Sequence, residues 1–415
     1  MKPQQTAGLP PIVTTFLAQQ VLTVTHSRFL AIVLSIWLAL PGRVNAQNLA
    51  RYSGTSARTF RRWMHREEPR SAWVELHLGV VKMAQQQGSI GQDFILAIDA
   101  SFIRKSGKRT PGLGSFWNGC TSRSERGLEL SCAALIDVQT RQAFTLEVRQ
   151  TQAKQDAPDR LCQYEQQLSE LLEHVKAMPN IKLKAVVADG QYAKTQFMDA
   201  VKSQGYTFIT KLQKNANLLY LYTGEHAQRR GPKQRYDGKV DWNDLTRFEV
   251  VLETPGERVL TQEVWGPHFQ RRFRVVVIQN LDHHGQVQAS AVLCSTDPTM
   301  KPLDILALYR ARFEIEFLFR DGKQHAGLST CQLRSTAGLE AHWNTSLLVV
   351  SLMRVEALQT ADPSHPLVFR LEDRKRRAYN VLYARHILTH LGLEARFGEL
   401  EANASGTLNF GLKAA

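Results

Sequence analysis

The sequence predicts an α+β to α/β chain: a mixed sheet with flanking helices, an antiparallel β-rich insertion, and helical segments at both ends. Three observations carry that reading. Short β-branched runs exchange with helical-period segments between residues 93 and 212. Residues 219–297 alternate polar and apolar in the manner of antiparallel strands. From residue 303 onward the helical period returns. Hydrophobic residues make up 43% of the 415 and charged residues 22%, which excludes a disordered tail, a collagen or a disulfide miniprotein. The formal charge of +14 points to a polyanionic partner, and nucleic acid is the commonest. The alternative is a merely basic soluble protein.

Residues 1–85 read as helical and basic. Within them Phe29–Leu40 (FLAIVLSIWLAL) is an apolar run after Arg28, and Val44-Asn45-Ala46 imitates a signal-peptide cleavage site. The stretch before the run is long for a signal, and the run falls short of the roughly 20 residues needed to span a bilayer. A buried helix is expected, with a secretory signal as the rival. Asn48–Met64 then has helix-turn-helix spacing. Ala50 is small where two helices would cross, Gly54 falls at the turn, and Ser56 can cap the next helix. Phe60, Trp63 and Met64 share one face, leaving Arg58, Arg61 and Arg62 free for a DNA groove or, more plainly, for solvent.

Residues 90–218 read as the first part of the core. Asp93–Asp99 (DFILAID) is an apolar strand ending in an acid, and 128–138 and 143–150 are further strands. Residues 158–177 switch to helical period, with Pro158 at the first position. Ala185–Ala188 is another apolar strand, ending at Asp189, followed by a helix at 194–203 and a strand at 207–212. The insertion spans 219–297, with strands at 248–252, 272–278 and 289–294 and a hairpin turn at His283-His284-Gly285. The core resumes over 298–335 with a long helix at 303–325, and a C-terminal helical region fills 336–415 with helices at 339–359 and 373–392. Residues 374–377 (RKRR) read as a solvated charge run. The five cysteines are odd in number and form no C-x-x-C pair, which argues against a zinc site or disulfide framework and fits a reducing, cytoplasmic compartment without membrane contact.

The helix at 303–325 is the most informative segment. On an unbroken helix Tyr309, Arg312, Glu316 and Lys323 fall within an arc of about 60°, while apolar residues occupy the remaining circumference. Such a helix is expected to be buried, and a buried carboxylate needs a partner or a metal. An Arg312–Glu316 ion pair at i, i+4 explains part of the seam but not Tyr309 and Lys323 on the same line. Asp99 and Asp189, each ending an apolar strand, could converge with Glu316 if the strands are neighbours and the helix packs on them. Three carboxylates in one site repel, and hard divalent cations such as magnesium or manganese remove that repulsion.

These residues together resemble a known family. Tyr309-x2-Arg312-x3-Glu316-x6-Lys323 resembles the YREK signature of transposases of the insertion sequence 4 type, and Asp189-Gly190-Gln191-Tyr192 resembles their second-aspartate motif. The resemblance covers roughly residues 90–335. It implies an RNase H-like catalytic domain in which Asp99, Asp189 and Glu316 are catalytic and hold two Mg2+ ions, with Mn2+ as a substitute. It also implies DNA cleavage and strand transfer, double-stranded DNA (transposon ends and target) as the partner, and a homodimer. Tyr309, Arg312 and Lys323 would face phosphates near the cut. Lys105 and Lys108 in the basic loop 104–109, and Lys211 with Lys214, are weaker DNA candidates. Trp265, in the insertion, would stack on a displaced base as relatives' tryptophans do. The rival functions are an RNase H-fold nuclease without strand transfer and a non-enzymatic DNA-binding regulator.

Overall fold

The computed structural model describes residues 9–153, 159–225, 233–362, 364, 367–403 and 405–413. Five helices come first: α1 (Pro11–Ala18), α2 (Val24–Ala39), α3 (Ala46–Ser53), α4 (Ala57–Met64) and α5 (Arg70–Gln86). The apolar run that resembles a signal peptide is the buried body of α2. Leu30, Val33, Leu34, Trp37 and Leu38 are all in the core, and Trp37 Nε1 donates to the Ala326 carbonyl at 2.8 Å. Among the described residues no helix is long and apolar enough to cross a membrane.

The helix-turn-helix spacing is realised by α3 and α4. Gly54 adopts φ 66° at the turn, where a side chain would be strained. Ser56 caps α4 by accepting from the Thr59 amide at 3.1 Å. Phe60 and Met64 are buried, and Trp63 stacks on Phe29 of α2 at 4.5 Å. Arg58, Arg61 and Arg62 are exposed.

The core follows as β1 (Asp93–Arg104), β2 (Gly114–Asn118), β3 (Arg123–Asp137), β4 (Ala143–Thr151), α6 (Arg160–Lys176), β5 (Lys182–Ala188), α7 (Thr195–Ser203) and β6 (Phe208–Leu212). Pro158 lies outside the described residues. Strand β3 pairs antiparallel with β1 and β4, while β5 runs parallel to β1 and β6 parallel to β5. That order, β4-β3-β1-β5-β6, is an RNase H-like sheet. The sequence reading missed β2 and the first five residues of β3, because Arg123–Gly127 (RSERG) carries no apolar run.

Strands β7 (Leu219–Leu221), β8 (Tyr236–Lys239), β9 (Glu249–Thr254), β10 (Glu257–Gly266), β11 (Arg271–Leu281) and β12 (Val287–Ser295) form the antiparallel block. The turn at His283-His284 closes β11 onto β12, with Gly285 at φ 77°. Strands β7, β8 and β10 were not foreseen. Strand β12 pairs with β6, so the block extends the core sheet to twelve strands among the described residues.

The chain ends with α8 (Pro302–Ala311), α9 (Glu314–Gln324), α10 (Thr336–Gln359), α11 (Leu371–His390), α12 (Phe397–Asn403) and α13 (Ser405–Leu408). Helix α10 is buried along most of its length and covers the outer edge of β4. Asn344 accepts from the Val148 amide at 2.9 Å and donates to the Val148 carbonyl at 2.8 Å. Glu340 accepts from the Gln150 amide at 3.0 Å. These side chains stand in for a neighbouring strand and leave no open edge there.

Two expectations about the C-terminal third need correction. The helix expected over 303–325 is two helices. The amides of Phe313, Ile315 and Glu316 each bond three residues back, at 3.2, 3.0 and 3.0 Å, which tightens the junction into a 3₁₀ turn. The 60° arc drawn for one continuous helix therefore does not carry across residues 312–313. Nor is the segment buried all round, since Phe313 is 49% exposed. The charge run 374–377 is only partly solvated: Lys375 is buried, with its ammonium donating to the Trp37 carbonyl, and Arg374 pairs with Glu356 at 3.4 Å.

Candidate active site

Strand register brings the two aspartates together. In the parallel β1–β5 pair, Ile98 is opposite Ala188. Asp99 and Asp189 are the next residues on each strand, so they occupy adjacent positions about one strand spacing, roughly 4.8 Å, apart. Asp99 Oδ1 accepts from its neighbour Ala100 N–H at 2.8 Å. Asp189 leaves β5 into a short 3₁₀ turn, where its Oδ1 accepts from the Gln191 amide at 2.7 Å and its carbonyl accepts from Thr210 Oγ1 at 2.8 Å. Gly190 fits closely there: a Cβ would sit 3.0 Å from the Lys211 carbonyl oxygen, so a side chain would push the two segments apart by a few tenths of an ångström. Tyr192, the aromatic of the same motif, is fully buried between Tyr164 and Phe197 and serves packing.

Glu316 arrives from the helices. Helix α8 packs on β5, β6, β11 and β12, whereas α9 packs on β1, β3 and β4. The 3₁₀ turn between them therefore crosses the sheet near Asp99, which sits in mid-strand on β1, and Asp189, which follows the end of β5. Arg312, at this turn, lies between two of the acids. Its Nη2 donates to Glu316 Oε1 at 2.9 Å, and its Nη1 stands 3.6 Å from Asp99 Oδ2. Its guanidinium also sits over the Tyr309 ring at 5.5 Å. Arg312 is only 8% exposed, yet among the described residues Nε and Nη1 have no hydrogen-bond partner.

The electrostatics tie the seam to the acids. Burial drives the Asp99 carboxyl up to about 7; Arg312 and the Ala100 amide oppose the shift, and the like charges of Asp189 and Glu316 reinforce it. Burial likewise raises the Tyr309 phenol, with Arg312 opposing and Asp189 and Glu316 adding to it. Burial lowers the Lys323 ammonium, with Cys120 and Asp99 opposing. The site is short of positive charge. Its all-oxygen acids suit a hard divalent cation in chemistry. Its spacing is open: among the described residues no three His, Cys, Asp or Glu side chains form a ready cage, because the Arg312 guanidinium stands between Asp99 and Glu316.

A family model described as the transposase DDE domain matches residues 91–352, more than half of the chain. The chain belongs to the DDE transposase family. The match runs from the residues just before β1 into α10, so the DDE domain contains both aspartates, the antiparallel block and the whole α8–α9 seam. No curated protein matches the chain.

The remaining sequence candidates fall in different places around the DDE domain. Lys105 is half-buried and donates to the carbonyls of Cys331 at 2.6 Å and Leu333 at 3.1 Å, so it pins the loop after α9. Lys108 is exposed in the same loop after β1. Lys211 is exposed on β6 beside the Asp189 turn, and Lys214 is exposed just beyond. Trp265 stacks on Tyr236 at 5.8 Å within the antiparallel block. Sequence reasoning missed Asp321 and Arg354, a buried pair at 3.3 Å that ties α9 to α10. It also missed His77, buried against Asn344 at 3.2 Å and pushed down to about 3 by burial. The five cysteines are free.

Proposed function

We propose that the chain is a DNA transposase of the insertion sequence 4 type, with Asp99, Asp189 and Glu316 as its catalytic acids and Tyr309, Arg312, Glu316 and Lys323 as its YREK signature. The observation that carries this reading is Arg312: a buried guanidinium, flanked by two of the acids, with two nitrogens, Nε and Nη1, that make no hydrogen bond among the described residues. Buried donors of that kind call for an absent acceptor, and a DNA phosphate oxygen beside the acids supplies one.

Two Mg2+ ions, or Mn2+ in their place, would be held by the three carboxylates; when bound they activate the attacking oxygen and stabilise the leaving one. The chain's own residues do the rest. Arg312 fixes the orientation of Glu316 and offers Nε and Nη1 to a phosphate. Tyr309 and Lys323, half-buried on the same seam, hold the strand beside it. Water opens a phosphodiester to leave a 3′ hydroxyl, and that hydroxyl attacks a target phosphodiester, forming one P–O bond as another breaks. The helix-turn-helix of α3 and α4 recognises the transposon end. Two copies of the chain join two ends, and the protein works in the cytoplasm on chromosomal DNA. Residues 1–85, 90–218 with 298–335, 219–297 and 336–415 form its DNA-binding, catalytic, insertion and C-terminal parts.

The test is a product assay with a supercoiled donor plasmid carrying the ends that flank the gene. Transposase activity yields products joined to target DNA in the presence of Mg2+. Cleavage without joined products assigns the chain as a nuclease instead, and DNA binding without cleavage assigns it as a regulator.

A further inference from the structure

Between the helix-turn-helix and the catalytic core lies a cavity of about 730 Å³. One wall comes from the residues leading into α3 and from α4, the other from the loop after β1 and the loop 329–334. Arg43 and Arg61 line the first wall, and Arg104 and Arg334 the second. All four are exposed, and among the described residues none of their side chains has an ion pair or a hydrogen bond. No carboxylate lines the cavity among the described residues. Elsewhere on this molecule arginines commonly find acids, as Arg149, Arg247, Arg258 and Arg310 do. Four unpaired guanidiniums around one hollow repel one another unless an anion is present.

The hollow is also preformed. His65 Nδ1 meets Ser335 Oγ at 2.7 Å, and Thr330 Oγ1 donates to the Val44 carbonyl at 3.2 Å, joining the two walls directly. Lys105 holds the floor through the Cys331 and Leu333 carbonyls. A volume of this size suits a few linked groups rather than a duplex. One end is lined by Arg61 and His65 at α4. The other begins at Arg104, the last residue of the strand that carries Asp99.

We propose that this cleft is a phosphate track, in which Arg43, Arg61, Arg104 and Arg334 hold the backbone of one DNA strand between the recognition helix and the catalytic acids. The inference rests on the DNA-acting function above and adds a contact that the catalytic seam does not include. It gives the chain a fixed span between the bases read by α4 and the phosphate presented to Asp99. It also separates affinity from chemistry: the track holds DNA, and the seam cuts it.

The experiment uses the full chain and a fluorescein-labelled duplex of random sequence, with anisotropy titrations across a salt series. The paired variant Arg104→Gln, Arg334→Gln is expected to make the slope of log K against log salt shallower by about 0.9 per lost phosphate contact. Arg104→Lys with Arg334→Lys is expected to keep the parent slope. Lys82→Gln, an exposed lysine on α5, serves as the control for simple loss of charge. Inorganic pyrophosphate is titrated against the parent to distinguish free phosphate from DNA. If the glutamine pair matches Lys82→Gln while the parent binds and cuts DNA, the track is overturned and the catalytic reading stands. Pyrophosphate binding that the glutamine pair abolishes, with an unchanged DNA slope, assigns the cleft to free phosphate and also overturns the track. A parent that binds no DNA overturns both.

Discussion

Arg312 and Arg354 both hold α9 through a carboxylate, Glu316 in one case and Asp321 in the other. The surroundings of the two pairs differ. Asp321 and Arg354 are almost wholly enclosed, and Arg354 also packs over Phe369 at 5.1 Å. At Arg354 burial outweighs the nearby acids and lowers its basicity; at Arg312 burial acts the same way, but Asp99, Tyr309 and Glu316 together overcome it. Glu316 remains 39% exposed, against 5% for Asp321. One arginine therefore closes a structural contact, while the other pairs with a carboxylate that solvent still reaches. Residue type and burial alone do not separate a scaffold ion pair from a working one. Nor do unsatisfied donors, since Arg354 Nε also has no hydrogen-bond partner among the described residues; access to the paired carboxylate does.

The largest effect expected from this comparison is on stability. Asp321→Ala strands a buried guanidinium and is expected to lower the unfolding free energy by about 3–5 kcal/mol in denaturant titrations; a loss under about 1 kcal/mol would mean that the pair is not the scaffold it resembles. Arg312→Gln is expected to do the opposite: a shift under about 1.5 kcal/mol in the same titration, with metal-dependent cleavage falling on the order of 100-fold or more, as when one preorganised donor is removed. Equal losses of folding and activity in the two variants would erase the distinction.

Lys375 extends the comparison to a buried cation with no ion pair among the described residues. Burial lowers its ammonium to about 7. The unfolded chain, with lysine near its ordinary value of roughly 10.4, binds the extra proton between those limits. Stability should therefore rise with pH from about 7 to 10, by at most about 1.4 kcal/mol per pH unit from this group. Thermal melts of Lys375→Met should lose that part of the slope, and an unchanged slope would show that the ammonium is solvated. The smallest effect is at the exposed arginines of α4. Arg58→Ala with Arg62→Ala should weaken DNA binding and flatten its salt dependence by up to about 0.9 per residue. An unchanged salt slope would remove α4 from the DNA interface.

What could be read from the sequence was local. Gly54, Ser56 and the Phe60–Met64 face predicted α3 and α4 because a turn, a cap and one apolar stripe all lie within a few residues of one another. Asp99 and Asp189 stood out because each follows an unbroken apolar run; β5 does end at Ala188, but β1 continues past Asp99 to Arg104, so the strand end expected at Asp99 was wrong. Their adjacency depends on β1 and β5 being parallel neighbours, which the sequence leaves as a condition. The break at Arg312–Phe313 was invisible because a single 3₁₀ turn leaves the apolar pattern of the segment 303–325 almost unchanged. Strand β2 and the start of β3 form a short hairpin in which Phe116 alone is buried on β2, too little alternation to mark a strand. The buried roles of Arg354 and Lys375 were hidden for another reason: their partners, Asp321 and Trp37, lie 33 and 338 positions away in the chain. The four cleft arginines come from separate segments that only the fold brings together.

The central claim is that Asp99, Asp189 and Glu316 work as one unit. Single-turnover DNA cleavage in Mg2+ by Asp99→Asn, Asp189→Asn, Glu316→Gln and the triple variant tests it most directly, with DNA binding measured alongside. Each single variant should still bind DNA and lose nearly all cleavage, and the triple variant should lose little more. A single variant that cuts as fast as the parent, or losses that multiply independently, would contradict it.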